Sequence, residues 1–158
     1  MGKIYEELKQ AKRFADPRQE AAVALLRTAD VLRSRIEAAL QPHGISPEQY
    51  NVLRILRGAP DRRLPTLEIA SRMITRAPNI TRLIDKLVRK KLVSRCDHER
   101  DRRIVVVQLS PAGLTLVNGI SENVNDLDAK GLAALSKAQV ETLIGLLDAV
   151  RADAGGPG

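Results

Sequence analysis

The sequence contains very few aromatic residues and a single cysteine. Its 158 residues include no tryptophan, one phenylalanine and two tyrosines. So few rings argue against a nucleic-acid reader that stacks bases on aromatic side chains. One cysteine excludes an internal disulfide framework and a multi-cysteine zinc site. Cys96 itself is most simply an inert thiol at a strand end, although a neighbouring arginine could also make it an oxidant sensor.

Long apolar runs and catalytic motifs are missing as well. No stretch approaches the roughly 20 apolar residues that a membrane helix needs, and the N-terminus has no apolar signal core. We therefore expect a cytoplasmic protein that contacts no membrane. The sequence has no G-x-S-x-G, P-loop or H-E-x-x-H pattern, and its two histidines lie near predicted loops. We predict that it is not an enzyme and needs neither cofactor nor metal.

Positive charge is concentrated in about a quarter of the chain. The whole sequence has 26 basic and 19 acidic residues, a net charge of +7. Residues 62–103 hold 13 of the basic and 5 of the acidic residues, a net +8, so the remainder has a net charge of −1. Chance clustering on a solvated surface is one explanation. A segment that must approach phosphates is the other, and it predicts double-stranded DNA as a partner.

Apolar periodicity and capping signals predict six helices. Ser46-Pro47 and Ser110-Pro111 each pair an N-cap serine with a proline at the first helical position. Two S-x-x-Q capping boxes begin at Ser46 and at Ser136. The fourth helix is predicted to be capped by Thr75, with Pro78 in its first turn. The six predicted helices span residues 19–41, 47–57, 66–73, 75–91, 111–130 and 136–152.

The third and fourth helices, separated by a short turn, are typical of a helix-turn-helix. Two β-branched stretches follow, residues 92–95 and 104–109, and the charged segment 96–103 between them predicts a hairpin tip. The predicted fold is mainly α with a small β-hairpin wing: a winged helix-turn-helix flanked by further helices.

The flanking helices predict a dimer. Each has an apolar stripe that three helices of one chain can cover only in part, and a two-fold pair of DNA readers matches a palindromic site. We expect an N-terminal dimerisation region (residues 1–45), a DNA-binding domain (46–110), C-terminal dimerisation helices (111–154) and a disordered tail (155–158).

Three local motifs resemble those of the MarR family of bacterial regulators. One is Ile80-Thr-Arg-Leu-Ile-Asp-Lys-Leu87, and the second is Lys91-Leu-Val-Ser-Arg95, in which lysine replaces the family's usual glycine. The third combines Asp101-Arg-Arg103 with Leu109-Ser-Pro-Ala-Gly113. The resemblance spans about residues 20–150. It implies a homodimeric winged-helix DNA binder, commonly a repressor that small aromatic or anionic effector molecules release.

Polar and basic residues of the fourth helix and the wing are the candidate DNA contacts. Arginine at the hairpin tip can enter the minor groove, and we expect Arg102 or Arg103 there. Asp101 matches the family's wing motif, which implies that it holds a neighbouring arginine. A solvated helix end and a solvated turn would contain the same residue types. The predicted DNA contacts are Thr75, Arg76, Asn79, Thr81, Arg82, Lys86, Arg100, Arg102 and Arg103.

The resemblance also implies an effector cleft between the dimerisation helices and the winged helix. His43, Tyr50 and Arg54 lie near that junction in the sequence. Core packing explains Tyr50 equally well, and surface charge explains Arg54.

Two alternatives to a sequence-specific regulator remain at this stage. One is an architectural DNA binder with no sequence preference, which composition does not distinguish from a regulator. The other is a winged helix that binds proteins without effector control, which predicts a less basic fourth helix than the one seen here.

Overall fold

The computed structural model of the chain describes residues 2–154, so the predicted tail at 155–158 lies outside it. Within that range the mainly helical fold with a hairpin wing is confirmed. The helices are α1 (Ile4–Glu7), α2 (Pro17–Leu40), α3 (Pro47–Arg57), α4 (Thr66–Arg72), α5 (Ile80–Arg89), α6 (Pro111–Gly131) and α7 (Lys137–Ala154). The strands are β1 (Arg63–Pro65), β2 (Val93–Asp97) and β3 (Val105–Leu109).

The chain divides into two compact units, and the boundary falls within α6 between Val124 and Asn125. The first unit contains α1 to α5, the sheet and the start of α6. The second contains the end of α6 together with α7. The finer division expected from the sequence, with breaks after residues 45 and 110, stays a prediction. None of the helices formed by residues 2–154 is both long and apolar enough to cross a membrane.

The core of the first unit lies where α3, α4, α5 and α6 meet the sheet. Apolar residues three and four apart put one face of each helix against this core, as the sequence periodicity predicts. Burial of these side chains provides the main favourable contribution to folding. Residues with at most 1% exposure are Leu40, Val52, Leu53, Leu56, Ile69, Ile84, Leu87, Val107, Val117, Ile120 and Val124.

The sheet has three antiparallel strands in the order β1-β3-β2. Strands β2 and β3, together with the tip at residues 98–104 that joins them, form the wing. We expected only these two strands, and the structure adds β1, in which Leu64 is buried and pairs with Val107. Strand β1 was not predicted because three residues are too short to show an alternating apolar pattern. Its last residue is proline, which suits a strand end because it lacks an N–H donor.

Helix α5 is capped four residues later than the predicted Thr75. Its N-cap is Asn79, whose Oδ1 accepts a hydrogen bond from the Arg82 backbone N–H at 3.2 Å. Pro78 explains the difference, because a proline disfavours helical geometry at the residue before it. The segment between α4 and α5 therefore spans residues 73–79 and is longer than the short turn predicted from the sequence.

Both predicted capping boxes are present. Ser46 accepts from the Gln49 backbone N–H at 3.2 Å, and the Gln49 side chain accepts from the Ser46 N–H at 3.1 Å. Ser136 and Gln139 repeat the arrangement at the start of α7. Helix α2 begins two residues before the predicted start, because Asp16 caps it and Pro17 occupies its first position.

Lys91 follows α5 in a left-handed conformation, with φ +59°. The Lys91 N–H donates to the Val88 carbonyl at 2.9 Å, and the Leu92 N–H donates to the Leu87 carbonyl at 3.1 Å. These two bonds form a Schellman motif, in which the left-handed position is usually glycine. The family's preference for glycine here thus has a steric reason, and lysine adopts this conformation at a cost of about 1 kcal/mol.

Gly113 lets α6 begin in contact with the turn that follows α5. A methyl group at this position would lie 2.1 Å from the Leu92 carbonyl oxygen and 2.8 Å from Leu109 Cδ1. Both distances are far inside van der Waals contact, and one of the atoms belongs to the backbone. Any side chain at residue 113 therefore requires α6 to move away from the sheet.

We predict that Gly113→Ala lowers the free energy of unfolding by about 3 kcal/mol because of this overlap. The melting temperature should fall by about 10 °C in a thermal unfolding experiment. The matched control is Gly119→Ala in the same helix, where a methyl group meets no atom of the described chain within 4 Å. That control should be neutral or slightly stabilising, since alanine favours helix. Equal melting of both variants would contradict the packing argument.

Candidate nucleic-acid interface

Helix α5 separates its apolar and basic side chains onto opposite faces. Ile84 and Leu87 are fully buried in the core. Thr81, Arg82 and Lys86, all predicted DNA contacts, are exposed. The 3.6-residue helical period produces this division, so one short helix both anchors itself and presents a basic surface.

The segment before α5 holds three more of the predicted contacts. Thr75 and Arg76 are exposed in this segment, and Asn79 is the N-cap of α5. Asn51 of α3 anchors the segment, because its Oδ1 accepts from the Ile74 N–H at 2.8 Å. Sequence reasoning missed Asn51, since a polar residue inside an amphipathic helix gives no indication of a partner 23 residues away.

The wing tip is organised by Asp101. Its carboxylate accepts from the Arg103 backbone N–H at 2.9 Å and from the Arg103 Nε and Nη2 at 3.1 Å each. These hydrogen bonds from Arg103 hold the pKa of Asp101 below its ordinary value, so the carboxylate stays charged. Arg100 and Arg102 are exposed. Among the side chains of residues 2–152, which the structure describes, no carboxylate pairs with the Arg102 guanidinium.

Two ion pairs connect the wing to its neighbours. Arg63 Nη2 of β1 lies 2.9 Å from Glu99 Oε1 of the tip. Arg95 of β2 pairs with Asp85 of α5. Sequence reasoning missed both pairs, because each joins residues that come together only when the sheet forms beside α5. The Arg95–Asp85 pair thus links the wing to α5, and the Arg63–Glu99 pair links the tip to β1.

One cleft brings predicted contacts from both elements together. Its volume is about 380 Å³, and both Thr81 of α5 and Arg103 of the wing line it. Apolar side chains, including Leu67 and Val105, form much of the remaining wall. The start of α5 and the tip end of the wing are therefore neighbours, and one extended partner could contact both.

The three predicted effector residues differ in their surroundings. Tyr50 is 4% exposed, and its hydroxyl lies 3.3 Å from Ser121 Oγ of α6. Ser121 also accepts from Arg57 Nη1 at 2.6 Å. Arg54 is exposed, with its guanidinium carbon 5.8 Å from the centre of the Tyr50 ring. His43 is exposed at the end of a short 3-10 helix. Tyr50 and Arg54 are thus in contact with each other.

Helices α3 to α5 and the three-stranded sheet define this part of the molecule as a winged helix-turn-helix. Comparison with known proteins identifies the family more closely. The model of the MarR family matches residues 45–105. The HTH-type transcriptional regulator MhqR of Bacillus subtilis is 26% identical over 129 residues, covering 81% of this chain and 87% of MhqR.

Solved structures agree with this assignment. A MarR transcription factor from Planctomyces limnophilus is 38% identical, with a TM-score of 0.65, and the alignment covers 86% of this chain and 98% of that one. A MarR family regulator from Streptomyces coelicolor, solved in complex with DNA, has the same fold with a TM-score of 0.80 at 22% identity, covering 94% of each chain. The chain belongs to the MarR family of transcriptional regulators.

Proposed function

We propose that this regulator is a homodimeric repressor that acts in the cytoplasm on a palindromic operator. Helix α5, the recognition helix, enters a major groove, and the wing follows the adjacent minor groove. The observation that carries this proposal is the cleft shared by Thr81 and Arg103, which makes the recognition helix and the wing adjacent parts of one surface. In the dimer, two such surfaces meet half-sites about one helical turn apart.

The distribution of charge supports DNA as the partner. The net +8 of residues 62–103 lies on the segment that contains α4, α5 and the wing, while the rest of the chain is close to neutral. Each phosphate that a lysine or arginine neutralises releases counterions, which favours binding. The related regulator from Streptomyces coelicolor was solved with DNA bound, which favours the same partner here.

The geometry divides the predicted contacts into two groups. Arg76, Arg82 and Lys86 are exposed on or just before the recognition helix, where side chains can reach base edges and phosphates. The Asn79 Oδ1 caps the helix by accepting the Arg82 N–H, so only the amide nitrogen of this side chain remains for a contact with DNA. In the wing, the Arg103 guanidinium donates hydrogen bonds to the Asp101 carboxylate. We therefore assign Arg102, and not Arg103, to the minor groove.

Exposed apolar side chains on α2 and on α7 support the dimer. Leu26 of α2 is 73% exposed, and Leu146 of α7 is 61% exposed. A group of large apolar side chains left in water on one helix, such as Ile144, Leu146 and Val150 of α7, commonly marks an interface. Arg33 of α2 contacts Glu48 of α3 at 2.7 Å, so a dimer built through α2 would also set the spacing of the two recognition helices. We keep residues 1–45 and 111–154 as the dimerisation regions and 46–110 as the DNA-binding domain.

We extend the proposal to release of the operator by a small aromatic or anionic effector. The exposed Arg54 guanidinium near the Tyr50 ring offers a cation for an anionic group. His43, Tyr50 and Arg54 remain the residues proposed to contact that effector.

The first test measures sequence specificity at the recognition helix. We expect Arg82→Ala to weaken binding to the duplex upstream of the protein's own gene by about 1–3 kcal/mol, and to weaken binding to a scrambled duplex much less, because it removes a base contact. Fluorescence anisotropy across a salt series gives both affinities. Arg27→Ala, which removes the same charge from an exposed position of α2, is the matched control and should bind like the unmodified protein.

Other results of this binding experiment would assign a different role to Arg82 or to the protein. Equal losses on both duplexes would make Arg82 a phosphate contact. Equal, weak binding of the unmodified protein to both duplexes would favour the architectural alternative. No binding even at low salt would favour the protein-binding alternative.

The second test concerns the wing. Replacing Arg102 and Arg103 together by alanine should reduce the slope of log affinity against log salt by about 1–2, since fewer counterions are released. The same anisotropy series measures that slope, with Arg27→Ala again as control. An unchanged slope would remove the wing from the interface.

The third test concerns the dimer. Leu26→Glu places a charge on the proposed α2 interface and should convert a dimer into monomers at micromolar concentration, as measured by sedimentation velocity. Thr28→Glu adds the same charge to the same helix at an exposed polar position and should leave the dimer intact. Identical sedimentation of the two variants would contradict a dimer interface at Leu26.

A further inference from the structure

The wing tip contains a second organising side chain, His98, which the proposed DNA contacts do not use. Its Nδ1 atom accepts hydrogen bonds from the backbone N–H groups of Arg100 and Asp101, each at 3.2 Å. Aspartate, asparagine and serine often hold turns in this way through a side-chain oxygen. Here an imidazole nitrogen does so, and the ring is half-buried.

Only a neutral imidazole can hold this turn. A nitrogen that accepts two hydrogen bonds carries no proton, so the ring proton of neutral His98 lies on Nε2. Protonation turns Nδ1 into a donor, which can no longer accept from Arg100 and Asp101. Histidine is the residue type whose charge ordinarily changes between pH 5 and 8. The other organising group of the tip, the Asp101 carboxylate, stays charged over that range because Arg103 holds the pKa of Asp101 low.

Once protonated, the His98 ring can rotate away from the turn and pair with a nearby carboxylate. The ring borders a cavity of about 340 Å³ beneath the tip, which gives it room to rotate. Arg63 and Arg103 already pair with Glu99 and Asp101, respectively. The charged residues that line this cavity with His98 are Arg63 from β1, Asp97 from the end of β2, and Glu99 and Arg100 from the tip. Asp101 lies close enough to interact electrostatically with the ring.

We propose that His98 is a pH-sensitive positioning residue of the wing. Neutral His98 holds residues 100–103 in the turn that presents Arg102. Protonated His98 releases the Arg100 and Asp101 N–H groups, the tip loosens, and operator binding weakens as the pH falls. The effect on DNA rests on the proposed function, whereas the release of the turn does not. An added positive charge alone would strengthen DNA binding at low pH, so the sign of the change separates the two effects.

The turn itself is tested without DNA. In the ¹⁵N-labelled protein, the Arg100 and Asp101 amide resonances should shift between pH 8.0 and 5.5, together with the ring resonances of His98. His98→Asn offers a carbonyl oxygen to the same N–H groups and does not titrate, so its amide resonances should stay constant. His43→Gln, which removes the other histidine, should titrate like the unmodified protein. Amides that do not move, or that still move in His98→Asn, would overturn the proposal.

The consequence for DNA is measured by anisotropy with the operator duplex at pH 7.5 and 5.5. The unmodified protein should bind about 5-fold more weakly at the lower pH, and His98→Asn should bind equally at both. Tighter binding at pH 5.5 would overturn the positioning role. Amide titration in a protein that binds no DNA at any pH would support the turn release and reject the proposed function instead.

Discussion

The close approach of α6 to the Leu92 carbonyl is the contact on which the rest of the winged helix depends. That oxygen accepts the Ser110 N–H at 3.0 Å, and Ser110 Oγ donates to the Lys91 carbonyl at 2.8 Å. Gly113 leaves the space in which α6 can begin. Three elements meet here: the end of the recognition helix, the base of both wing strands and the first turn of α6. Because backbone atoms make the contact, side-chain adjustment cannot replace it.

This junction fixes the position of the base of the wing. Two ion pairs restrain the position of the rest of the wing. Arg95 with Asp85 ties β2 to the recognition helix, and Arg63 with Glu99 ties the tip to β1. These exposed pairs contribute little to the free energy of unfolding. Their effect is to narrow the range of wing positions, and a narrower range lowers the entropy lost when the wing orders on a partner. Rigidity at the base and restraint at the tip together preorganise one surface.

Most helices and the capping boxes could be predicted from the sequence because their signals are local. Ser46 and Gln49 are three residues apart, and their pairing needs no knowledge of the remaining chain. The predicted start of the recognition helix was wrong because Pro78 disfavours helical geometry at the residue before it, and the apolar periodicity does not show this effect. Strand β1 was missed because it forms only by hydrogen bonding to β3, which lies more than 40 residues later in the chain. For the candidate site, the sequence indicated the residue types and their elements, whereas Asn51 and the ion pairs need the folded chain.

The 13 basic residues of segment 62–103 overstate the number of cations that are available for a partner. Within the described chain, Arg63, Arg72, Arg95 and Arg103 of this segment all lie in ion pairs. Their guanidinium groups are already partly neutralised by the neighbouring carboxylates, so each of them adds less to the attraction of a phosphate than an unpaired arginine does. Among the side chains that the structure describes, the cations without such partners include Arg76 and Arg82 at α5 and Arg102 at the tip. Under the proposed function, the unpaired arginines are the ones expected to contact DNA, and the sequence alone does not distinguish them from the paired arginines.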